Sequence, residues 1–351
     1  MVLLICDFLL SLKKDTFEII LRYITILIIS IKFLANKLCI VFGCTGQDGS
    51  LACYSLLKKG YKVLGISRSF PPNYQYLKKL GIYRSFEIKQ LADENELISC
   101  QKILETYKPD QIYNLAAQSS VGVSFQEPFS CIQSIYQLSL VILEAARNTK
   151  FDGNIFFAGS SEIFGNTQVA AGVNHTKKSL SPYAHAKEAS MQLVCKYREI
   201  YALNCITGIL FPHESILRAE NFVFPKIIKG AVRCQKNKDY TLNLGNINLA
   251  RDWGWAPDYV EAMQLMTSSK VNKDYVICTG KLTPLIEVIN KTFKKLDMNW
   301  QDYVVINEKS KRSYDISQSF GDAKPLKNEL GWENTKNIDE IIDLMISEHF
   351  E

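Results

Sequence analysis

Val41-Phe42-Gly43-Cys44-Thr45-Gly46-Gln47-Asp48-Gly49 follows the apolar run Leu38-Cys39-Ile40-Val41-Phe42 and leads into the helix-like run Leu51–Lys59. Strand, glycine turn and helix in that order make the first half of a βαβ unit. The glycines at 43, 46 and 49 are spaced G-x-x-G-x-x-G. Gly43 suits a tight turn, Gly46 lets the backbone come close to a pyrophosphate, and Gly49 lets the helix pack close to the strand. The helix N-terminus then offers unpaired N–H groups to the anion. The bland alternative is an ordinary βα turn, and the strand before and helix after weigh against it.

Outward from this turn, strands and helices alternate. Tyr61–Ile66, Phe86–Lys89, Gln111–Ala116, Asn154–Ala158 and Cys205–Leu210 read as strands. Glu94–Tyr107, Phe129–Asn148 and Tyr183–Tyr201 read as helices. The alternation predicts an α/β fold, a doubly wound parallel Rossmann sheet with ligands at the carboxyl ends of its strands. After Phe211 the pattern turns irregular, with helical runs at Ile286–Leu296 and Ile338–Phe350 and strand-like runs at Tyr240–Leu244 and Tyr275–Cys278. This predicts a nucleotide-binding domain over 37–210 and a smaller C-terminal substrate domain over 211–351, partly interleaved with the first.

The 351 residues, 47% hydrophobic and 22% charged, suffice for one large core or two modest ones. The formal charge of +5 comes without a Lys/Arg block, so nucleic acid is not an expected partner, and an anionic small molecule suits the surplus. Ten cysteines are scattered without a C-x-x-C pair, which reads as reduced core thiols in a cytoplasmic protein. His175, His185, His213 and His349 have no metal-ligand spacing, so no metal is expected. Residues 1–36 form an apolar extension of uncertain role. Glu18, Arg22 and Lys32 interrupt it, and the charge-free stretch Tyr23–Ile31 is too short to span a bilayer. It reads as an amphipathic helix docking on the protein or a membrane surface, a weak anchor, or upstream sequence read from a misassigned start. The first or last is preferred, and membrane association is not.

Tyr183 and Lys187 form Y-x-x-x-K, which a helix puts on one face. A nearby ammonium lowers a phenol from about 10 toward the working range, so the tyrosine can take a hydroxyl proton while a nicotinamide takes hydride. Ser160-Ser161, just past the fifth strand, supplies a hydroxyl partner. Glu162 adds a carboxylate at the same mouth. A reductase or epimerase needs only Tyr, Lys and a hydroxyl. A carboxylate allows a second proton transfer, because oxidising a sugar at C4 acidifies the C5 hydrogen and opens elimination of water from C6. The bland reading of Glu162 is a helix-start acid. Past the second strand, Arg68 suits a ribose 2′-phosphate, so NADP is preferred over NAD, against the alternative of a solvated surface arginine.

The order VFGCTGQDGS (Val41–Ser50), NLAAQSSVGVSF (Asn114–Phe125), GSSEIFG (Gly159–Gly165), SPYAHAK (Ser181–Lys187), GILFPHES (Gly208–Ser215) and NLARDWGWAPDYVEAM (Asn248–Met263) resembles the GDP-mannose 4,6-dehydratase family, a branch of the extended short-chain dehydrogenase/reductases. TGQDGS and RDWG are specific to that branch. The resemblance implies conversion of GDP-mannose to GDP-4-keto-6-deoxy-mannose by an NADP-dependent homodimer or homotetramer. It implies Ser160 polarising the C4 oxygen, Glu162 as C5 base and C6 leaving-group acid, Tyr183 as C4 base and Lys187 as its tuner. Thr45, Gln47 and Asp48 beside the three glycines, Leu115, Ala116 and Ala117 after the fourth strand, and His213 near the nicotinamide are the implied cofactor contacts. Ser119, Ser124, Lys226, Arg251, Arg312 and Asp315 are the implied substrate contacts. The chain departs from the family pattern at Pro212 (asparagine), Leu217 (arginine, with Arg218 adjacent), Gln90 (aspartate), Ser69 (arginine) and Trp255 (histidine). These departures bear on nucleotide affinity and NADP preference, and the residues of the chemistry are all present. Two other readings stay open: another nucleotide-sugar dehydratase, epimerase or 4-reductase, and a catalytically weak binding or regulatory paralogue.

Overall fold

The computed structural model describes residues 37–91, 95–307 and 315–350. The expectations for residues 1–36 and for Arg312 lie outside the described residues. The first six strands among the described residues are β1 (Leu38–Phe42), β2 (Lys62–Ser67), β3 (Glu87–Gln90), β4 (Gln111–Asn114), β5 (Asn154–Ala158) and β6 (Cys205–Leu210). Two short strands, β7 (His213–Glu214) and β8 (Gly254–Trp255), pair with each other, and β9 is Tyr275–Ile277. The main sheet runs β3-β2-β1-β4-β5-β6-β9, parallel throughout. The doubly wound α/β expectation therefore holds. The strand order reverses between β1 and β4, which opens a crevice at their carboxyl ends.

The central strands β1, β5 and β6 are apolar on both faces because both faces are covered. Along β1, Cys39 and Val41 point into one core and Ile40 and Phe42 into the other. The first core takes α1 (Gln47–Lys58) and α6 (Ala256–Ser268). The second takes α2 (Glu96–Tyr107), α3 (Leu138–Asn148) and α4 (Pro182–Tyr201). A third core lies away from the sheet, between α5 (Val223–Lys236), α7 (Leu285–Lys294) and α8 (Ile338–Ser347). The chain does not part cleanly at 210/211. After building much of the third core it returns, and Tyr275–Ile277 pairs with Gly208–Leu210 as the seventh strand.

The single helix expected over Phe129–Asn148 is interrupted. Pro128–Ile132 and α3 are joined by one π-helical turn, Gln133–Gln137. Two hydroxyls bond back to carbonyls of the preceding turn: Ser134 donates to the Cys131 carbonyl at 2.9 Å and Ser139 to that of Ile135 at 2.7 Å. The Gln118 amide in turn donates to the Ser134 hydroxyl at 3.2 Å, which ties this turn to the loop after β4.

Candidate active site

A cleft of about 420 Å³ opens at the carboxyl ends of β1, β4, β5 and β6, and Val223, Leu244 and Trp253 of the third core also line it. On the near wall, β5 ends at Ala158 and Ser160 caps a short helical turn, Ser161–Phe164, by accepting from the Glu162 amide at 3.3 Å. This cap aims Ser160 and Glu162 at the cleft. α4 starts with Ser181 accepting from the Ala184 amide at 3.1 Å and with Pro182 in its first turn. Tyr183 and Lys187 then fall one turn apart, both buried and both lining the cleft.

Burial pushes the Tyr183 phenol up to about 12, while its hydrogen bond with Ser160 and the Arg218 guanidinium pull it back. Burial lowers the Lys187 amine to about 8, against the pull of Asp48 in the other direction. Lys187 Nζ donates to the Ala158 carbonyl at 2.6 Å and sits 5.9 Å from the Tyr183 ring centroid. Lys187 is thus anchored to the end of β5, and desolvation outweighs the expected lowering of the phenol.

On the opposite wall, His213 is held in β7. Its Nδ1 lies 2.6 Å from the Phe211 carbonyl and its Nε2 lies 3.1 Å from both oxygens of Asp48, in the first turn of α1. Both ring nitrogens face acceptors, an arrangement that a doubly protonated ring satisfies. The His213 charge and hydrogen bond hold the Asp48 carboxyl far below its usual range despite burial. Gln47 Nε2 bonds the same carboxylate at 3.0 Å, and its Oε1 accepts from Ser215 at 2.9 Å. Lys226, Arg251 and Asp315 line the outer part of the cleft, and Leu115, Ala117 and Ser119 its inner rim.

Other expected contacts fall elsewhere. Ser124 is fully buried and donates to the Val121 carbonyl at 2.7 Å, so the helical turn after β4 carries it away from the cleft. Arg68 is exposed beyond the end of β2, outside the cleft lining, and Thr45 and Ala116 also lie outside it. Leu217 packs into the first core, and Arg218 is the residue that reaches the cleft. Glu214, Arg218, Phe222 and Trp253 line the cleft without having been read as site residues. Trp253 belongs to the RDWG motif, and Arg218 directly follows the departure at Leu217.

The glycine turn fits a dinucleotide. Gly43 has φ +77°, and a Cβ on it would sit 2.7 Å from the Ala116 backbone. A Cβ on Gly49 would lie 2.1 Å from the Gly43 oxygen, so helix and strand touch there. A Cβ on Gly46 would meet only the Gly43 oxygen, at 3.5 Å. The protein itself has room for a side chain at 46, and the space it would fill lies over the start of α1, where a pyrophosphate would descend.

The family model described as GDP-mannose 4,6 dehydratase matches residues 40–345. The chain is 36% identical over 326 residues to GDP-mannose 4,6 dehydratase 2 of Arabidopsis thaliana, covering 90% of this chain and 87% of that one. It is 31% identical to GDP-mannose 4,6 dehydratase of Cricetulus griseus, covering 89% and 91%. Among solved structures it is similar to dTDP-glucose 4,6-dehydratase from Bacillus anthracis in complex with NAD, with TM-score 0.77 and 16% identity over 90% of this chain and 96% of that one. It is also similar to UDP-glucose 4-epimerase from Thermotoga maritima with UDP-glucose, with TM-score 0.77 and 18% identity over 89% and 98%.

Proposed function

The chain belongs to the GDP-mannose 4,6-dehydratase family, and on that footing we propose that it converts GDP-mannose to GDP-4-keto-6-deoxy-mannose as an NADP-dependent hydro-lyase. The observation that carries this reading is Glu162 in the same cleft as Tyr183 and Lys187. Tyr183 takes the C4 hydroxyl proton while Ser160 hydrogen-bonds the C4 oxygen, the Arg218 guanidinium favours the phenolate, and Lys187, held on the Ala158 carbonyl one turn along, is its proposed tuner. The resulting ketone acidifies C5–H. Glu162 removes that proton and protonates the C6 hydroxyl, which leaves as water. Re-protonation at C5 and reduction at C6 complete a turnover whose net change is loss of one water.

The Gly43–Gly49 turn would hold the dinucleotide's pyrophosphate, and Leu115, Ala117, Tyr183, Lys187 and His213 its nicotinamide end. When bound, the nicotinamide accepts hydride from C4 and returns it to C6. Arg68 would pair with the 2′-phosphate. β2 finishes at Ser67 and is followed by Arg68 and Ser69 with no carboxylate, which supports NADP over NAD. Lys226, Arg251 and Asp315 would take the GDP part, the arginine fork suiting a diphosphate. Leu217 in the core and Arg218 in the cleft weigh against the binding-paralogue reading, because the cation is kept one residue along. The unpaired cysteines among the described residues support a cytoplasmic setting. The assembly is proposed as a homodimer or homotetramer, which light scattering would size.

The test is incubation of the purified protein with GDP-mannose, UDP-glucose and dTDP-glucose in separate reactions, with and without added NADP, read by mass spectrometry. Loss of one water from GDP-mannose alone is the expected result. Loss from another nucleotide sugar would reassign the substrate, and loss from none would return the chain to the paralogue reading.

A further inference from the structure

Tyr259, in α6, is fully buried behind the His213 wall of the cleft. Its ring stacks on the imidazole with centroids 4.6 Å apart and planes 29° apart. On another side it meets the edge of Trp332 at 6.1 Å and 86°, and the Trp332 indole N–H donates to the Asp258 carbonyl at 2.8 Å. Gly254, the last residue of RDWG, faces the same ring. A Cβ there would lie 2.3 Å from Tyr259 Cε2 and 2.7 Å from Oη. The Tyr259 hydroxyl has no hydrogen-bond partner among the described residues, so the contact on His213 is made by the ring.

The two hydrogen bonds of His213, to Phe211 and Asp48, leave from its two nitrogens. They fix where the ring sits but leave it free to tip about the line joining those nitrogens. A flat face pressed on the imidazole removes that freedom. Asp252, the residue before Trp253, clamps the surrounding backbone by accepting from the Thr279 amide at 2.8 Å, the Thr279 hydroxyl at 2.6 Å and the Gly280 amide at 2.8 Å. Asp252 and Gly254 therefore serve one arrangement from two directions.

We infer that Tyr259 is a positioning residue for His213: its ring sets the tilt of the imidazole against Asp48 at the start of α1, and position 254 is glycine because that ring occupies the space. The inference rests on the reading of this wall as part of a dinucleotide site.

The experiment compares His213→Asn, Tyr259→Phe, Tyr259→Leu and Gly254→Ala in the full chain. It measures the affinities for NADPH and for GDP, the melting temperature, and the NMR resonances of the His213 ring. Tyr259→Leu and Gly254→Ala should each weaken NADPH about ten-fold, the scale of losing one charge-assisted hydrogen bond, with GDP affinity held. Tyr259→Phe should keep NADPH affinity and melt no lower, since it deletes a buried hydroxyl without a partner. In the unaltered protein the His213 ring protons should be shifted upfield by the stacked ring, and that shift should vanish in Tyr259→Leu. NADPH affinity unchanged in Tyr259→Leu while His213→Asn weakens it would overturn the inference. An unchanged affinity in His213→Asn would instead overturn the reading of the wall. If Tyr259→Leu and Gly254→Ala lose GDP affinity as well because they do not fold, the unaltered protein decides: unshifted His213 resonances overturn the inference, and shifted ones with retention of NADPH by Tyr259→Phe uphold it.

Discussion

The two walls of the cleft do similar work by opposite means. The near wall, Ser160, Glu162, Tyr183 and Lys187, comes from two short motifs whose geometry is local: a capped turn after β5 and the first two turns of α4. The far wall is assembled across the chain. His213 and Asp48 meet over 165 positions of sequence, and the ring under His213 comes from a third segment. The near wall keeps its titratable groups away from their ordinary values by burial, with Tyr183 up at about 12 and Lys187 down at about 8. The far wall holds Asp48 low through a partnered charge. Burial sets the titration of the near wall, whereas a paired charge sets that of the far wall.

The sharpest way to break this contrast is Glu162→Gln. If the near wall does the proton chemistry, dehydration should fall by about 10³-fold, within the range for removing a general acid–base group, with GDP affinity unchanged. Product quantified by mass spectrometry reads the rate. A loss in GDP affinity of equal size would make Glu162 a binding residue instead.

Lys187→Met tests the cost of burial on the near wall. In the folded protein the amine titrates at about 8, against an ordinary value of 10.5. Between those two values the unfolded chain binds more protons than the folded one, so stability rises as pH climbs through that window. A depressed lysine therefore destabilises the fold below about 8, by up to about 3 kcal/mol. Lys187→Met should lose activity yet gain stability relative to the unaltered protein at neutral pH, with the gap narrowing toward pH of about 10. Urea denaturation at several pH values measures it, and a gap independent of pH would refute the assignment.

Smaller effects separate the glycines under the far wall. Gly49→Ala should destabilise by about 1–3 kcal/mol, because its Cβ would press on the Gly43 oxygen. Gly46→Ala should leave the melting temperature nearly unchanged and weaken NADPH several-fold, because the protein leaves that space open and a pyrophosphate would use it. Equal destabilisation by both would make the turn purely structural.

Much of this was legible in the residues. The Asn154–Ala158 and Cys205–Leu210 strands have the expected bounds, and Tyr183 and Lys187 share a face because helical spacing alone puts them there. Other features depended on what packs against what. Ser119 and Ser124 sit in one motif, yet the turn after β4 sends Ser119 to the cleft and buries Ser124. Leu217 and Arg218 exchange core and cleft because the loop after β7 turns its 217 side chain inward. The π-helical turn at Gln133–Gln137 is hidden in an apolar run that reads as plain helix, and the Gln118 amide that ties it down comes from another loop.

By itself, the sequence determined the layered α/β fold, the glycine turn and the near wall, because periods of two and of 3.6 residues and the capping of a helix are short-range properties of the backbone. The tertiary structure alone decided the return of Tyr275–Ile277 to the sheet, the pairing of Asp48 with His213, and the ring of Tyr259 under that histidine. Each of these joins segments far apart in the chain. Such contacts form only once both sheet faces are covered and the packed helices have settled where each side chain can go.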